Sequence, residues 1–377
     1  AGVKGISLFI VPKFMVDADG PLGARNDAHC VSIEHKLGIK ASPTAVLQFG
    51  DHGGAIGTLV GEENRGLEYM FIMMNSARFG VGMQGVGLAE RAYQQAAAFA
   101  KERIQSRDLA GSPGPVAIVN HPDVRRMLMS MRSQVEAARA LAYVGAAMSD
   151  LAHSHPDRAA REANQALYEY LVPVIKGWST EMSENVARDG VQVHGGMGFI
   201  EETGAAQHYR DAKILTIYEG TTAIQANDLV GRKTVRDGGA IAKSILGQVR
   251  ATEQQLADAK GDDLAAIRRQ LVEGSAALEQ VVDFVVANVK TDIKGVFAGS
   301  VPYLKLAGIV LGGWQMARAA LVAQNRLDAG EGDAAFYRAK ITTARFFADH
   351  ILSQAAGLRH AIVEGAAGVL ALPQDQF

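Results

Sequence analysis

The residues whose types most directly suggest chemistry lie at positions 217–225, which read IYEGTTAIQ. Glu219 stands immediately before Gly220 and two threonines, where the pattern predicts the start of a short helix. A carboxylate at this place is a candidate for proton transfer. An acid in the first turn of a helix also interacts favourably with the helix dipole and the exposed amides. The segment by itself therefore leaves Glu219 open to a catalytic or a structural explanation.

Three other groups of residues have structural explanations of the same kind. Met70, Met73 and Met74 form a stripe that is more typical of a core than of a ligand pocket. Arg103 and Arg107, near the end of a long predicted helix, suit its C-terminal carbonyls. The histidines show neither H-E-x-x-H nor another ligand spacing, so we predict no metal site.

The segment GVGMQG at 80–85 matches the G-x-G-x-x-G pattern of dinucleotide-binding folds. That motif requires a strand in front of it and a new helix after it, whereas the residues before Gly80 already show helical periodicity. We therefore predict that Gly80, Gly82, Gly85 and Gly87 thin one side of a helix so that a neighbour can approach closely.

Composition excludes several classes of function. The chain has 377 residues and a formal net charge of −2, which favours neither nucleic acid nor an anionic membrane and suggests two or three domains. Cys30 is the single cysteine, so an intrachain disulfide is impossible, and a reducing compartment, most simply the cytoplasm, is expected. The most apolar window begins at Leu304, but Lys305, Gln315 and Arg318 interrupt it, so we predict a buried helix and no transmembrane segment.

Local patterns predict strands first and helices afterwards. The segments GISLFIVP, VSIEHKLGIK and TAVLQFGD before residue 66 are short, β-rich and separated by turn residues. Helical periodicity then continues to Arg107, from Pro122 to about His153, and from about Asp157 to Gly190, with Pro173 expected to begin or kink part of the third helix. With a short helix at the Glu219 segment, this indicates a helical bundle.

The last third is predicted to be a separate helical region. Gly238 and Gly239 mark its start, and helical stretches follow at roughly 240–288, 300–327 and 332–370. The residues from Gly295 to Val301 are expected to break the helical pattern.

Several long segments together resemble the acyl-CoA dehydrogenase family. RFGVGMQGVGLAERAYQQAAAFAKER, DGVQVHGGMGF and YRDAKILTIYEGTTAIQ occur in the family's order and spacing, and HKLGIKASPTAVLQFGDH with GEENRGLEYM resembles its middle sheet. ANDLVGRK and AKITTARFFADHIL resemble longer members, especially the branch of methylmercaptopropionyl-CoA dehydrogenases. The resemblance implies a mainly α fold with a partial β domain, comprising a remnant of the middle β domain (1–66), a four-helix bundle (67–236) and an added helical domain (237–377).

The resemblance assigns a substrate site around the acid. Glu219 matches the base that removes the α-proton of an acyl-CoA thioester, and its backbone N–H matches a donor to the thioester carbonyl. An apolar pocket would raise the proton affinity of such a carboxylate. Gly220 would let the thioester lie beside the acid, Tyr218 would line the acyl channel, and Arg78 would contact the CoA side of the pocket.

The resemblance also assigns a site for FAD, whose flavin N5 would accept hydride from the β-carbon. Arg103 matches an arginine that contacts the FAD pyrophosphate across a subunit interface. Gln192, Gly195 and Gly196 match the segment that receives the adenosine part, and Thr221 matches a hydroxyl near the diphosphate or ribityl group.

The sequence departs from the family pattern in three ways. Gln105 and Ser106 stand where the family has an aromatic FAD contact, and Ala223 replaces a usual glutamine, although Gln225 follows. The family's N-terminal helical domain and the first half of its sheet would precede Ala1. We therefore expect this chain to be an inactive, N-terminally truncated fragment that binds FAD weakly or not at all.

Other functions within the family stay open at this point. The main expectation is a dehydrogenase that passes electrons to electron-transferring flavoprotein, and an acyl-CoA oxidase is the enzymatic alternative. A DNA-associated relative would need a surplus of lysine and arginine after residue 237, where the charges nearly cancel. The added helical domain covers, in longer members, the face through which dimers pair, so a homodimer is expected.

Overall fold

The computed structural model describes residues 2–16 and 18–377, which divide into two compact units. The first unit comprises the described residues up to Ala77, and the second comprises Arg78–Phe377. Strands lie in the first unit and the chain is otherwise mostly helical, which confirms the predicted mainly α fold with a partial β region.

The first unit contains three antiparallel strand pairs. Strand β1 (Leu8–Ile10) pairs with β6 (Thr58–Val60), β2 (Phe14–Val16) with β3 (Leu22–Arg25), and β4 (Ala28–Ile33) with β5 (Ala45–Phe49). The β4–β5 ladder runs from the Ala28–Phe49 pair to the Ile33–Ala45 pair with a register shift between Cys30 and Ser32. The segment predicted as one strand from Val31 to Lys40 therefore leaves the sheet after Ile33.

Hydrogen bonds hold the described part of the first unit together, because none of its hydrophobic side chains is buried. Apolar strand residues such as Phe9 and Phe49 are exposed. The buried side chain is that of Asn26, whose amide nitrogen donates to the carbonyls of Pro12 at 2.9 Å and Ile56 at 2.7 Å. This unit thus lacks the apolar burial that usually stabilises a free-standing domain.

The second unit begins with a helical bundle. Its elements are α1 (Gly66–Glu102, which starts in the first unit), α2 (Pro122–Ser154), α3 (Arg158–His194), α4 (Ala205–Leu215) and α5 (Thr222–Asp228), followed by a π-helical turn (Leu229–Val235). Pro122 occupies the first turn of α2, and the Asp157 carboxylate caps α3 by accepting the N–H groups of Ala159 and Ala160. Pro173 lies inside α3 and does not begin it.

The remaining helices continue the same core. They are α6 (Ala240–Asp258), α7 (Asp262–Asn288), α8 (Ile293–Ala298), α9 (Ser300–Asp328), α10 (Ala334–His350), α11 (Ala355–Glu364) and α12 (Ala366–Leu370). The expectation of a break at 295–301 was wrong in part, because α8 occupies Ile293–Ala298 with Asp292 as its N-cap. Among the described residues, α9 alone is long and apolar enough to cross a membrane, yet 78% of that window is buried inside the protein. Helix α9 is thus mostly buried, as the sequence predicts.

The glycine-rich segment at 80–85 lies within α1, so no strand precedes it and the dinucleotide motif does not apply. A Cβ built on Gly82 would lie 2.8 Å from Ile175 Cγ2, and one on Gly85 would lie 2.8 Å from the Ser179 carbonyl oxygen. These two glycines therefore allow α1 to pack closely on α3. The other two glycines of the predicted stripe face open space.

Candidate functional site

Glu219 lies on the loop between α4 and α5, before the first turn of α5. Helix α4 ends at Leu215 and α5 begins at Thr222, and the hydroxyl of Thr221 is the α5 N-cap, accepting the Ile224 N–H at 3.4 Å. Glu219 precedes this cap by two residues. The structural explanation from the helix dipole is correspondingly weaker, because that effect falls off beyond the first turn.

The loop backbone at Glu219 and Gly220 is left-handed. Glu219 has φ 54° and Gly220 has φ 90°, and a left-handed conformation is uncommon for a residue with a side chain. A Cβ on Gly220 would lie 2.8 Å from the amide nitrogen of Gln225, so glycine is required there by conformation and by space. Surrounding contacts must hold Glu219 in this geometry.

Gln225 supplies the first of these contacts. Its fully buried side chain donates to the carbonyl oxygens of Glu219 at 3.2 Å and Gly220 at 3.1 Å. The sequence showed Gln225 only as a remaining glutamine after the base, without this role. Its side-chain oxygen is buried without a hydrogen-bond partner in the described structure.

Lys176 supplies the second contact, which sequence reasoning missed. Its fully buried ammonium donates to the carbonyl oxygens of Leu215 at 2.9 Å and Gly220 at 2.8 Å. Burial lowers the pKa of Lys176 to about 8, because desolvation disfavours the charged form. A lysine inside an apolar helical run was the signal available in the sequence, where it reads as YLVPVIKGW.

The groups that Glu219 offers to a ligand are unengaged. Its side chain is half-buried, and among the described residues no lysine, arginine or histidine nitrogen lies within 4.0 Å of its carboxylate. Its backbone N–H donates to no acceptor in the described part of the chain. Glu219 thus presents a free carboxylate and a free backbone N–H donor.

Tyr218 lies beside the acid and is also half-buried. Its hydroxyl donates to the side-chain oxygen of Gln84 on α1. Burial, followed by the negative charge of Glu219, raises the pKa of Tyr218, so its hydroxyl stays neutral. Tyr218 is therefore a half-buried, neutral phenol that its hydrogen bond to Gln84 fixes against α1.

Arg78, predicted to contact the CoA side of the substrate, is buried within the second unit. Its Nη1 atom lies 3.0 Å from Oδ2 of Asp228, whose other carboxylate oxygen accepts from Arg232 Nε at 2.7 Å. The Nε atom of Arg78 is buried without a partner in the described structure. The guanidinium is therefore committed to Asp228 on one edge while the Nε edge keeps a free donor.

Two of the residues predicted to bind the cofactor, Arg103 and Gln192, are exposed near the ends of α1 and α3. Phe99 of α1 and His194 of α3 stack with ring centroids 4.4 Å apart. Arg103 lies one turn after Phe99, Gln192 lies two residues before His194, and both side chains are exposed. The stack therefore brings the ends of α1 and α3 together and leaves a cation and an amide at the surface.

The glycines that follow this stack leave open space. Gly195 has φ 59°, a left-handed value that suits glycine, and a Cβ built on Gly195 or Gly196 would meet nothing within 4 Å. Apart from Arg78, the predicted residues lie in two places. Tyr218, Glu219, Gly220 and Thr221 form a loop group, and Arg103, Gln192, Gly195 and Gly196 form a surface group near the Phe99–His194 stack.

One group of described residues has the types that bind metals. Ligand atoms of Asp27, His29 and His52 lie within 4.8 Å of one another in the first unit. The Asp27 carboxylate also accepts the backbone N–H groups of His52 at 2.5 Å and Gly54 at 3.2 Å. These bonds account for the position of Asp27 as the residue that closes the loop after β5.

Comparison with known proteins identifies the family of the chain. A family profile described as "Acyl-CoA dehydrogenase, C-terminal domain" matches residues 64–233, and one described as "Acetyl-CoA dehydrogenase C-terminal like" matches residues 245–373. The chain belongs to the acyl-CoA dehydrogenase family.

Curated relatives match nearly the whole chain. The 3-methylmercaptopropionyl-CoA dehydrogenase of Ruegeria pomeroyi is 53% identical over 93% of this chain and 59% of its own length. The broad-specificity linear acyl-CoA dehydrogenase FadE5 of Mycobacterium tuberculosis is 36% identical over 96% of this chain and 61% of its own length. The chain thus spans about three fifths of the length of these relatives.

Solved structures show the same fold. An acyl-CoA dehydrogenase from Bacillus anthracis, solved as a complex with FAD, matches with a TM-score of 0.71 and 20% identity, covering 96% of this chain and 60% of that one. The Caenorhabditis elegans protein ACDH-11, solved with C11-CoA, matches with a TM-score of 0.70 and 21% identity, covering 96% of this chain and 57% of that one.

Proposed function

We propose that this protein takes part in FAD-dependent α,β-dehydrogenation of an acyl-CoA thioester, with Glu219 as the base that removes the α-proton. The observation that carries the proposal is the half-buried, unpaired Glu219 carboxylate on a left-handed loop that Gln225 and Lys176 tie to the bundle. Family membership supplies the reaction class.

Residues of the loop group and Arg78 have separate roles toward the substrate. The Glu219 carboxylate accepts the proton from the carbon next to the thioester carbonyl, and its free N–H donates to that carbonyl oxygen. Such a donor stabilises the enolate-like charge that develops as the proton leaves. Gly220 allows the left-handed turn that carries the acid, and Tyr218 lines the acyl channel. Arg78 is paired with Asp228, which leaves its Nε as the donor for the CoA portion.

The surface group fits a bound FAD. Arg103 provides an exposed guanidinium for a pyrophosphate, and the bare backbone at Gly195 and Gly196 leaves the space that an adenosine would occupy beside Gln192. The Thr221 hydroxyl would contact the diphosphate or ribityl region. When bound, FAD would supply the acceptor for the hydride of the β-carbon.

The same proposal extends to substrate and partners. The identity to the Ruegeria pomeroyi relative supports a thioether acyl-CoA, alongside unbranched acyl-CoAs, as the substrate class. We further propose electron-transferring flavoprotein as the electron acceptor, a homodimer as the assembly and the cytoplasm as the location. Light scattering of the purified protein tests the assembly, and a tetramer would contradict it.

The decisive experiment replaces the base in the full-length flavoprotein. Glu219→Gln is expected to lower acyl-CoA-dependent reduction of an artificial electron acceptor by about 10²- to 10⁴-fold, the usual contribution of a general base. Glu202→Gln serves as the control and should keep full activity, because Glu202 is an exposed acid of the same unit. Desaturation that survives in Glu219→Gln would refute the proposal.

Two additions to this assay resolve the remaining choices. Acyl-CoAs of graded length and a thioether acyl-CoA define the substrate, and peroxide production in place of dye reduction would indicate an oxidase.

For the chain as given, we predict weak or no FAD binding, since no hydrophobic side chain in the described part of its first unit is buried. A stable, stoichiometric flavin spectrum after mixing the chain with FAD would contradict this prediction.

A further inference from the structure

A single lysine lies beneath the loop that carries the proposed base. Lys176 belongs to α3, its side chain is fully buried, and its ammonium contacts both ends of the loop. It donates to the carbonyl of Leu215, the last residue of α4, at 2.9 Å, and to the carbonyl of Gly220, next to the base, at 2.8 Å. The two bonds bracket the residues between them, including Glu219.

The position of this ammonium is costly. Among the described residues, no carboxylate oxygen lies within 4.0 Å of Lys176 Nζ, so the charge is balanced by backbone carbonyls and by more distant groups. The charged groups that face it are Glu181 on the same helix, Arg78 on α1 and Glu219 on the loop. A buried charge without an ion-pair partner is destabilising, and an apolar side chain of similar size would avoid that penalty.

The two bonds of Lys176 satisfy backbone carbonyls at the end of α4 and in the loop. The Leu215 carbonyl belongs to the C-terminal end of α4, where a cation also interacts favourably with the helix dipole. The Gly220 carbonyl follows two consecutive left-handed residues, a conformation that persists only where neighbouring contacts enforce it. Gln225 binds the same carbonyl from α5, but it does not reach α4. Lys176 thus links the C-terminal end of α4 to the loop residue that follows Glu219.

We propose that Lys176 is a positioning residue for Glu219, whose ammonium fixes the loop between α4 and α5 so that the carboxylate and its free N–H face the substrate together. This inference rests on the proposed function, because the base must be Glu219. It assigns Lys176 no contact with the substrate.

The test uses Lys176→Met and Lys176→Gln in the full-length flavoprotein. Met removes both donors and the charge, whereas Gln restores amide donors without the charge. Lys233→Met is the matched control, because Lys233 is a partly buried lysine of the same unit that pairs with Glu169. We expect Lys176→Met to lower kcat about 10- to 100-fold with little change in KM, as for a displaced catalytic group, and Lys176→Gln to recover part of it.

Hydrogen exchange provides the local readout. Thr222 N–H, which donates to the Thr216 carbonyl at 3.0 Å, closes the loop and should exchange faster in Lys176→Met while the core of α3 is unchanged. Unchanged kcat together with unchanged exchange in Lys176→Met would overturn the inference. Activity retained in Glu219→Gln would instead refute the proposed function, so the two failures are distinguishable.

The wild-type protein provides a test even where neither variant folds. If the two bonds of Lys176 hold the loop closed, Thr222 N–H should exchange as slowly as the amides in the core of α3. Exchange of Thr222 N–H at the rate of an unprotected amide would overturn the inference.

Discussion

Gly308 of α9 lies directly against the indole ring of Trp178 on α3, so that a Cβ built on Gly308 would come within 2.2 Å of the Trp178 Cγ atom. Gly312, one turn later, has the same relation to the far edge of the ring, at 2.6 Å from Cη2. Helix α9 therefore packs its backbone onto the segment of α3 that also carries Lys176, two residues before Trp178. The C-terminal helices thereby support the region that holds the Glu219 loop.

The first prediction concerns this contact. Gly308→Ala should lower the free energy of unfolding by about 1–3 kcal/mol, because the added methyl group has no room and the helices must separate. Gly247→Ala is the control, since Gly247 is exposed in α6 with open space around it, and alanine there should gain about 0.5–1 kcal/mol. Thermal unfolding of the purified chain measures both, and equal melting temperatures would contradict the prediction.

Local sequence signals were sufficient for the elements that frame the site. Pro122 and Asp157 marked the starts of α2 and α3, because a first-turn proline and a capping aspartate act within a few residues. The catalytic candidate Glu219 was found through a motif of adjacent residues. Its conformation was not predictable, since no pattern at residue 219 indicates a left-handed backbone.

The residues that fix that conformation could not be predicted for a different reason. Lys176 interrupts an apolar run, and such a lysine usually reaches the surface with its charge in water. Its actual partners, Leu215 and Gly220, lie at the end of α4 and in the loop after it, far along the chain, so only the packing of α3 on the loop reveals them. The contact between Asp27 and His52 was not predictable for the same reason, because it forms only when the loop after β5 folds back on Asp27.

A second prediction tests a buried chain of hydroxyl groups. Thr234 donates to the Leu229 carbonyl at 2.8 Å and so accepts from the Tyr303 hydroxyl at 2.9 Å, whose oxygen accepts from Tyr170 at 3.3 Å. Burial raises the pKa of both tyrosines, so they stay neutral donors. Tyr303→Phe leaves the buried Tyr170 hydroxyl without a partner, removes one of the two bonds of Thr234, and should reduce the free energy of unfolding by about 1–3 kcal/mol.

The control for this prediction is an exposed tyrosine. Tyr143→Phe on α2 should leave the free energy of unfolding unchanged, because its ring is largely in solvent. Urea unfolding followed by circular dichroism compares the two variants. Equal stability of Tyr303→Phe and Tyr143→Phe would show that the hydroxyl chain contributes nothing.

A third prediction separates a buried ion pair from an exposed one on the same carboxylate. Asp228 binds Arg78, whose side chain is 8% exposed, and Arg232, whose side chain is 55% exposed. Asp228→Asn leaves the Arg78 charge buried without its partner and should cost about 3–5 kcal/mol. Arg232→Ala removes only the exposed pair and should cost about 1 kcal/mol or less. Urea unfolding measures both, and equal losses would contradict this assignment.

The last prediction follows from the pKa of Lys176, which burial lowers from 10.5 to about 8 in the folded chain. Between these two values the unfolded chain keeps a proton that the folded chain has lost. Because stability rises with pH wherever the unfolded state binds more protons, the free energy of unfolding should increase above pH 8. The gain by about pH 9.5 is about 2 kcal/mol, at about 1.4 kcal/mol for each pH unit.

The measurement compares urea unfolding of the wild-type chain and Lys176→Met at about pH 7.5 and 9.5. The wild-type chain should gain stability relative to Lys176→Met over this interval, because only the wild type carries the group that loses its burial penalty. Tyr170 and Tyr303 are present in both proteins, so their titration cancels in the difference. Lys233→Met should keep the wild-type dependence, since Lys233 is paired with Glu169. An identical dependence on pH in the wild type and Lys176→Met would mean that Lys176 is not a buried ammonium, and the argument that the chain tolerates its cost in order to hold Glu219 would lose its basis.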